Sequence, residues 1–311
     1  MPSLTLVVNP RAGNGRVSRE LPRLVEALHA AGIDPTVAIT EGAGHATDLA
    51  RSASEGGAET VVAVGGDGTV NEVVNGLVAA DRPVGGAALG VVAAGSGADF
   101  ARTFGFPAHT DGSLEGIAGD VVPLDVGRID CIGRNGEPLT RYFVNVAEAG
   151  LNASVVRGAE RLPRRVGRAR YVMAFWPALA RYRQTTLEVT ADGATFRGRA
   201  FNALVANARW FGGGMNISPG STTDDGIAEI QVNTGPKRQA FTLVPKIYKG
   251  SHLPNPRIIE MTGMAGRIES DRPIPVEADG ELIGLTPMEF RILPGLLRLR
   301  VRPGFRFDPP A

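Results

Sequence analysis

The fold of this chain is decided at positions 61–69 by the stretch Val61-Val62-Ala63-Val64-Gly65-Gly66-Asp67-Gly68-Thr69. Its apolar beginning predicts a buried strand of a parallel sheet, which the glycines then end. Thr69 is predicted to be the N-cap of a following helix, because Glu72 stands at the spacing that a capping box requires. The stretch therefore predicts a strand, a glycine turn and a helix in direct succession.

A glycine turn that opens a helix is typical of a phosphate site, because glycine permits close approach and free amides near a helix N-terminus favour anions. Asp67 does not fit a bare anion site. Its carboxylate would repel phosphate unless a cation, or a hydroxyl awaiting deprotonation, lies beside it. The alternative is a tight turn in which Asp67 stabilises its own loop. Neither the Walker A loop nor the dinucleotide fingerprint has this spacing.

The composition predicts a globular protein with room for two domains. The chain has 311 residues, of which 43% are hydrophobic and 21% charged, with a net charge of +1. This balance does not suggest nucleic-acid binding. The single Cys131 cannot form an internal disulfide. With no signal-peptide pattern and no apolar run long enough to span a bilayer, we expect a cytoplasmic protein.

Two further glycine turns follow predicted strands in the first half of the chain. One runs from Asn9 to Gly15 after the strand 4–8, and the other from Ala94 to Gly97 after the strand 87–93. Strands and helices alternate here, which predicts a doubly wound, Rossmann-like α/β domain with an open parallel sheet. Parallel strands end at one edge, so we expect the three turns to converge where such sheets bind ligands.

From Val121 onward the pattern changes to short alternating stretches separated by turn dipeptides such as Asn135-Gly136 and Asp192-Gly193. Such stretches predict antiparallel hairpins, and together an all-β sandwich as a second domain. Two helical insertions are predicted within it, at about residues 169–181 and 237–249. The domain boundary is expected near residues 121–126.

These motifs resemble the diacylglycerol kinase family. The resemblance is carried by Asn9-Pro10, by Gly65-Gly66-Asp67-Gly68-Thr69-Val70-Asn71-Glu72-Val73 and by Gly95-Ser96-Gly97-Ala98-Asp99-Phe100-Ala101-Arg102. Within the family, the chain is most similar to bacterial soluble lipid kinases related to sphingosine and ceramide kinases. The resemblance covers nearly the whole chain. It implies a nucleotide-binding domain at residues 1–125, rejoined by residues 300–311, and a lipid-substrate β-sandwich at residues 126–299. Ser96 and Ala98 depart from the family's usual Thr and Asn.

The resemblance also implies cofactors and site residues. ATP would be bound by Asn9, Pro10, Thr40, Gly65, Gly66, Asp67, Gly68, Thr69, Asn71, Glu72, Gly95, Ser96 and Asp99. Mg²⁺ would be held by Asp225 with backbone oxygens of Thr222 and Ile227, in the turn Thr222-Thr223-Asp224-Asp225-Gly226-Ile227. The catalytic proton acceptor would be Glu281 or Asp279 of the turn Asp279-Gly280-Glu281, with Asp67 assisting. Read without the resemblance, both acidic turns are explained as hairpin caps. For the turn with Asp224 and Asp225 the alternative is a hard-cation site, because Mg²⁺ prefers a carboxylate together with carbonyls and waters.

The implied function is an ATP- and Mg²⁺-dependent lipid kinase that phosphorylates the hydroxyl of diacylglycerol or a sphingoid-type lipid. One alternative is an NAD kinase-like kinase of a soluble acceptor. Another is a non-catalytic lipid- or nucleotide-binding homologue, which Ala98 would suit. The sequence leaves open which lipid is the acceptor and whether the protein is a monomer or a homodimer.

Residues 157–176 combine arginines with aromatic residues. The arginines are Arg157, Arg161, Arg164, Arg165, Arg168 and Arg170, and they precede Tyr171, Met173, Phe175 and Trp176. This combination favours transient contact of the segment Arg157–Trp176 with an anionic membrane surface, where the lipid substrate lies. The alternative is a solvated basic helix face whose aromatic residues belong to the core.

Overall fold

A computed structural model describes residues 3–94, 98–106, 113–162 and 169–307. The chain forms two compact units. The first comprises Met1–Val126 and Pro294–Asp308, and the second is built from Gly127–Leu293. That the first unit binds the nucleotide and the second the lipid remains a prediction.

The first unit alternates strands and helices along the chain. Its elements are β1 (Leu4–Val8), α1 (Ala12–Ala30), β2 (Pro35–Ile39), α2 (His45–Glu55), β3 (Thr60–Gly65), α3 (Asp67–Leu77), β4 (Val78–Ala79), β5 (Arg82–Pro83), β6 (Ala88–Ala93), α4 (Asp99–Thr103), α5 (Ser113–Ala118) and the beginning of β7 (Asp120–Gly133).

The second unit is mainly antiparallel. Its elements after β7 are β8 (Pro138–Phe143), β9 (Val146–Gly150), α6 (Leu151–Glu160), α7 (Ala169–Arg181), β10 (Thr185–Ala191), β11 (Ala194–Ala200), β12 (Asn202–Ala206), β13 (Trp210–Phe211), β14 (Met215–Asn216), β15 (Ala228–Asn233), a 3-10 turn (Lys237–Gln239), α8 (Ala240–Tyr248), β16 (Ile258–Gly263), β17 (Ala265–Ser270), β18 (Pro275–Ala278) and β19 (Glu281–Val301).

A parallel sheet organises the first unit, with strand order β2-β1-β3-β6. The end of β19 continues the sheet, since Leu299 pairs in parallel with Leu89 of β6. Residues of β1, β3 and β6 are buried throughout, because helices cover both faces of a doubly wound sheet. The predicted open parallel α/β architecture is confirmed.

The second unit is the predicted β-sandwich. One strand path is β16-β15-β12-β9-β18-β19, while β11, β10 and β17 lead to β19 by a second path. Their inward side chains form a continuous apolar core that includes Ile129, Phe143, Leu187, Ile230 and Phe290. Both predicted helical insertions are present, as α7 and as the 3-10 turn followed by α8. Among the described helices, none is long and apolar enough to cross a membrane.

One local prediction is wrong, and one helix was not predicted. The helix after the central strand begins at Asp67 with Gly66 as its N-cap residue, so Thr69 lies within α3 and does not cap it. Helix α6 was not anticipated, although its buried positions Leu151, Val155 and Ala159 have helical spacing.

Candidate active site

The three glycine turns of the first unit meet at one edge of the parallel sheet. Val8 pairs with Val64, and Gly65 pairs with Ala93, so β1, β3 and β6 end level with one another. Each strand end then leads into a helix, namely α1, α3 or α4. The described turn residues therefore converge as the sequence predicts. Gly95, Ser96 and Gly97 lie outside the described residues.

Asn9 links the first turn to the second. Its side-chain Nδ2 donates to Thr69 Oγ1 at 3.2 Å, and its Oδ1 accepts a hydrogen bond from the Arg11 backbone N–H at 3.1 Å. Its own backbone N–H donates to the Val64 carbonyl at 3.0 Å. The hydroxyl of Thr69, which does not cap the helix, thus holds two strand ends together.

Two glycines are required here by space. A Cβ atom at Gly13, whose φ is +60°, would lie 2.4 Å from the Ala94 carbonyl oxygen of the neighbouring turn. A Cβ atom at Gly65 would lie 2.4 Å from Thr69 Oγ1. A side chain at Gly13 would push the first and third turns apart, and a side chain at Gly65 would displace the Thr69 side chain that bonds to Asn9. The backbones of the first and third turns are therefore in close contact.

Asp67 connects the second turn with the third. Its Oδ1 accepts a hydrogen bond from the Phe100 backbone N–H at 3.1 Å, near the beginning of α4. Asp99, which precedes Phe100 in the sequence, forms an ion pair with Arg102 at 3.2 Å. Asp67 is half-buried, whereas Asp99 is buried. The carboxylate of Asp67 is thus fixed in place by backbone next to the glycine turns.

The remaining predicted nucleotide residues of the first unit are distributed around this edge. Thr40 follows β2, and its N–H donates to the Val8 carbonyl at 2.8 Å. The Pro10 carbonyl accepts a hydrogen bond from Ser18. Glu72 Oε2 accepts from the Ala46 N–H at 3.1 Å, which joins α3 to α2 in place of the expected capping box. Asn71 is buried, and its carbonyl accepts from the Asn75 side chain. Their nucleotide roles remain predictions.

In the second unit, Asp279 and Gly280 form a two-residue hairpin turn between β18 and β19. Both have positive φ, +47° and +83°, as a type I′ turn requires. The Asp279 carboxylate accepts three backbone hydrogen bonds, from Val144, Asn145 and Val146, at 2.9 to 3.0 Å. These bonds occupy the carboxylate and fix the turn against the segment between β8 and β9.

Glu281 is the more accessible carboxylate of this turn. Its side chain is 41% exposed and its Oε2 lies 3.0 Å from Arg141 Nη2. Glu277, two residues before Asp279, is fully buried and accepts the Gly280 N–H at 2.8 Å through Oε2. The turn thus carries one accessible and two buried carboxylates.

Sequence reasoning missed a buried acid pair in this unit. Glu277 of β18 is paired in register with Glu148 of β9, and both side chains are fully buried. Burial raises the pKa of Glu148 to about 7. Burial, and then the charge of Glu148, raise the pKa of Glu277 well above its usual range. The available signal was a charged residue within each of two otherwise apolar strands.

The predicted metal loop is an exposed acidic turn. Asp225 Oδ1 accepts the Ile227 N–H at 3.0 Å, so the carboxylate does cap the turn. The pKa of Asp224 is raised by burial and by the charge of Asp225. The pKa of Glu229 is raised by burial, then by Asp225 and Glu260. Among the described residues, no cluster of three or more His, Cys, Asp or Glu side chains forms a ready metal site. Crowded carboxylates and hard oxygen donors nevertheless suit Mg²⁺ held partly by water.

Residues 145–301, half of the chain, match the YegS C-terminal NAD kinase beta sandwich-like domain, and residues 3–129 match the diacylglycerol kinase catalytic domain. The chain therefore belongs to the family of lipid kinases that these two domains form. Its α/β unit with converging glycine turns and its β-sandwich with acidic turns are those of a kinase with an alcohol group as acceptor.

Relatives align over almost their full length. A diacylglycerol kinase of Bacillus subtilis strain 168 is 29% identical over 293 residues, 92% of this chain and 91% of the relative. A diacylglycerol kinase of Mycobacterium tuberculosis strain CDC 1551 / Oshkosh is 29% identical over 306 residues, covering 97% and 96%. A crystal structure of a diacylglycerol kinase from Bacillus anthracis strain Sterne shares the fold, with a TM-score of 0.74, 24% identity and 98% of each chain covered.

Proposed function

We propose that this protein is an ATP- and Mg²⁺-dependent kinase that transfers the γ-phosphoryl group to the hydroxyl of a lipid such as diacylglycerol or a sphingoid-type lipid. The observation that carries the proposal is the convergence of glycine turns that Asn9, Thr69 and Asp67 tie together. Phosphoryl transfer depends on positioning and charge neutralisation more than on covalent chemistry. A rigid set of backbone amides at helix N-termini supplies that positioning.

In this proposal the phosphates of ATP lie on the turns after β1, β3 and β6. Amides of Gly66 and Gly68 at the start of α3 favour the negative charge. Asn9, Pro10 and Thr40 line the same edge from the neighbouring strand ends. Because the Phe100 amide holds the Asp67 carboxylate beside the turns, this carboxylate would organise the hydration of a cation near the phosphates.

Mg²⁺ would be held by Asp225 with backbone oxygens of Thr222 and Ile227. When bound, it would neutralise charge on the phosphate oxygens. Burial first, and then the charge of Asp225, raise the pKa values of Asp224 and Glu229, so a cation at this turn would relieve the repulsion that Asp225 exerts on both groups. Asp225 itself orients the turn through the Ile227 amide.

We assign the proton acceptor to Glu281 and a positioning role to Asp279. The Asp279 carboxylate already accepts three backbone hydrogen bonds, whereas the Glu281 side chain is 41% exposed beside Arg141. Glu281 would take the hydroxyl proton as the lipid oxygen bonds to the γ-phosphorus and the bond from that phosphorus to the β-phosphate oxygen breaks, releasing ADP.

A cavity in the second unit supports a lipid as the acceptor. It has a volume of about 90 Å³ and lies beneath α7 and α8, on the faces of β12, β15 and β16. Its lining is mainly apolar and includes Leu151, Phe175, Leu179, Leu243 and Ile247. A mainly apolar lining of this size suits a few methylene groups of an aliphatic chain. The protein would act in the cytoplasm and meet its substrate at a membrane surface, with no nucleic-acid partner.

An assay that offers NAD and diacylglycerol side by side, with labelled ATP and Mg²⁺, tests this proposal against its alternatives. We expect label in phosphatidic acid and none in NADP. Label in NADP would establish a kinase of a soluble acceptor. ATP binding without transfer to NAD, to diacylglycerol or to an added sphingoid base would establish a non-catalytic homologue.

A further inference from the structure

Two helices of the second unit present large apolar side chains to solvent. Val172, Met173 and Trp176 of α7 are exposed, and so are Phe241 and Tyr248 of α8. Phe241 is 67% exposed and Trp176 is 39% exposed. We call these five residues the helix-pair surface. Contiguous exposed apolar side chains of this size mark an interaction site.

The helix-pair surface is one structural feature, although α7 and α8 are far apart in the sequence. The rings of Trp176 and Phe241 stack with their centroids 4.7 Å apart. Lys237, just before α8, donates from Nζ to the Ala180 carbonyl of α7 at 2.7 Å. On the inner side, Ala240 packs with Phe175 and Ala178 against a shared apolar cluster. The pair is therefore held together from both sides.

Both sides of α7 are apolar, which is unusual for a surface helix. Ala174 and Leu179 are buried inward, while Val172, Met173 and Trp176 occupy the outer positions where polar residues are expected. The core therefore does not explain the outer residues. Of the residues predicted to reach the membrane, Phe175 and Tyr171 belong to the packed inner side instead.

The charged residues of α7, α8 and their flanks indicate what kind of partner binds the helix-pair surface. Residues 169–183 and 236–250 contain seven cationic residues and no Asp or Glu. They are Arg170, Arg181, Arg183, Lys237, Arg238, Lys246 and Lys249. Two copies of the chain facing each other through this surface would bring like charges together. An anionic bilayer instead offers apolar depth for the aromatic residues and negative headgroups for the cations.

We propose that the helix-pair surface docks on an anionic lipid bilayer, with Trp176 and Phe241 inserted at the interface. The inference rests on the proposed function in that a lipid acceptor lies in a bilayer. It extends the segment predicted from sequence, because Phe241, Tyr248 and three of the lysines come from α8 and its flanks. Arg164, Arg165 and Arg168 lie outside the described residues and are not needed for it.

The test is sedimentation of the full-length chain with vesicles, without nucleotide, so that binding is measured apart from catalysis. One set of vesicles is phosphatidylcholine with an equal share of phosphatidylglycerol, and the other is phosphatidylcholine alone. We expect binding to the anionic set, weakening with salt. The double variant Trp176→Glu/Phe241→Glu should lower the partition coefficient at least about tenfold. The control Val37→Glu/Ile39→Glu changes two exposed apolar residues of β2 and should leave it unchanged.

Three results would overturn the proposal. The first is that the helix-pair variant binds anionic vesicles as well as wild type does, and the second is that the β2 control loses as much vesicle binding as the helix-pair variant. The third is that sedimentation velocity finds wild type to be a dimer and the helix-pair variant a monomer. Circular dichroism and thermal melts establish that both variants fold. Turnover on short-chain diacylglycerol below its micelle concentration should survive in the helix-pair variant. If wild type itself shows no turnover on this substrate, that result would count against the proposed kinase function and not against membrane docking.

Discussion

At the scale of single residues, Asp67 is the test of the proposed nucleotide site. It is the one carboxylate within the central glycine turn, and a backbone amide of α4 holds it at 3.1 Å. Asp67→Ala should abolish turnover while the fold persists, since a hydrogen bond to a charged group contributes only about 1.5 to 3 kcal/mol to stability. Steady-state kinetics with a thermal melt measure both effects. Retention of more than a few per cent of activity would remove Asp67 from the mechanism.

The hairpin acids Glu281 and Asp279 should respond differently to neutral substitution. Glu281→Gln should lower kcat by about a hundredfold or more with little change in melting temperature, because the proton acceptor is lost. Asp279→Asn should instead destabilise the second unit by about 2 kcal/mol, because the charged acceptor of three backbone amides is lost. Urea unfolding and kcat measured on both variants separate the roles. If Asp279→Asn lowered kcat and Glu281→Gln lowered stability, the two residues would have the opposite roles.

The buried acids Glu148 and Glu277 should make stability depend on pH. Their raised pKa values mean that the folded state binds protons more tightly than the unfolded chain. The free energy of unfolding should therefore fall as the pH rises from about 4.5, the ordinary value, to about 7, the value for Glu148. The double variant Glu148→Gln/Glu277→Gln should flatten this fall. A wild-type profile that is level over this window would contradict the assignment.

At the scale of secondary structure, uninterrupted apolar runs made the first unit predictable. Residues 4–8, 60–65 and 88–93 are buried on both faces, and each ends in a turn that the sequence marks with glycine or Asn-Pro. The capping of α3 was not predictable, because Thr69 bonds to Asn9, sixty residues away in the chain. The acid pair was equally hidden, since it depends on which strands become neighbours.

Close packing of the turns gives a prediction at this scale. Gly13→Ala should destabilise the first unit by about 3 kcal/mol and weaken ATP binding, because its Cβ would meet the Ala94 carbonyl. Gly32→Ala is the matched control, because Gly32 lies just beyond the C-terminal end of α1, at whose beginning Gly13 lies. Its φ is also positive, at +76°, but its Cβ would meet nothing within 4 Å. It should cost only about 1 kcal/mol and leave ATP binding intact. Equal effects on binding would contradict the close contact.

At the scale of the whole molecule, the proposed reaction needs groups from both units, the nucleotide turns of the first and the acid of the second. The alternation of strands and helices predicted the α/β unit, the hairpin pattern predicted the β-sandwich, and the resemblance implied the same two domains. The acceptor lipid could not be predicted, because under the proposed function it depends on the shape of the cavity beneath α7 and α8, which forms from residues between 151 and 258. Spacing along the sequence does not encode that shape.

The most direct measurement is transfer of label from γ-labelled ATP to a panel of lipids in anionic vesicles with Mg²⁺. The panel contains diacylglycerol, a sphingoid base, a ceramide and phosphatidylglycerol, and wild type is compared with Asp67→Ala. We expect one lipid class to acquire label with wild type and none with the variant. Folded wild-type protein that binds ATP yet labels no lipid, or labelling that Asp67→Ala leaves unchanged, would contradict the account.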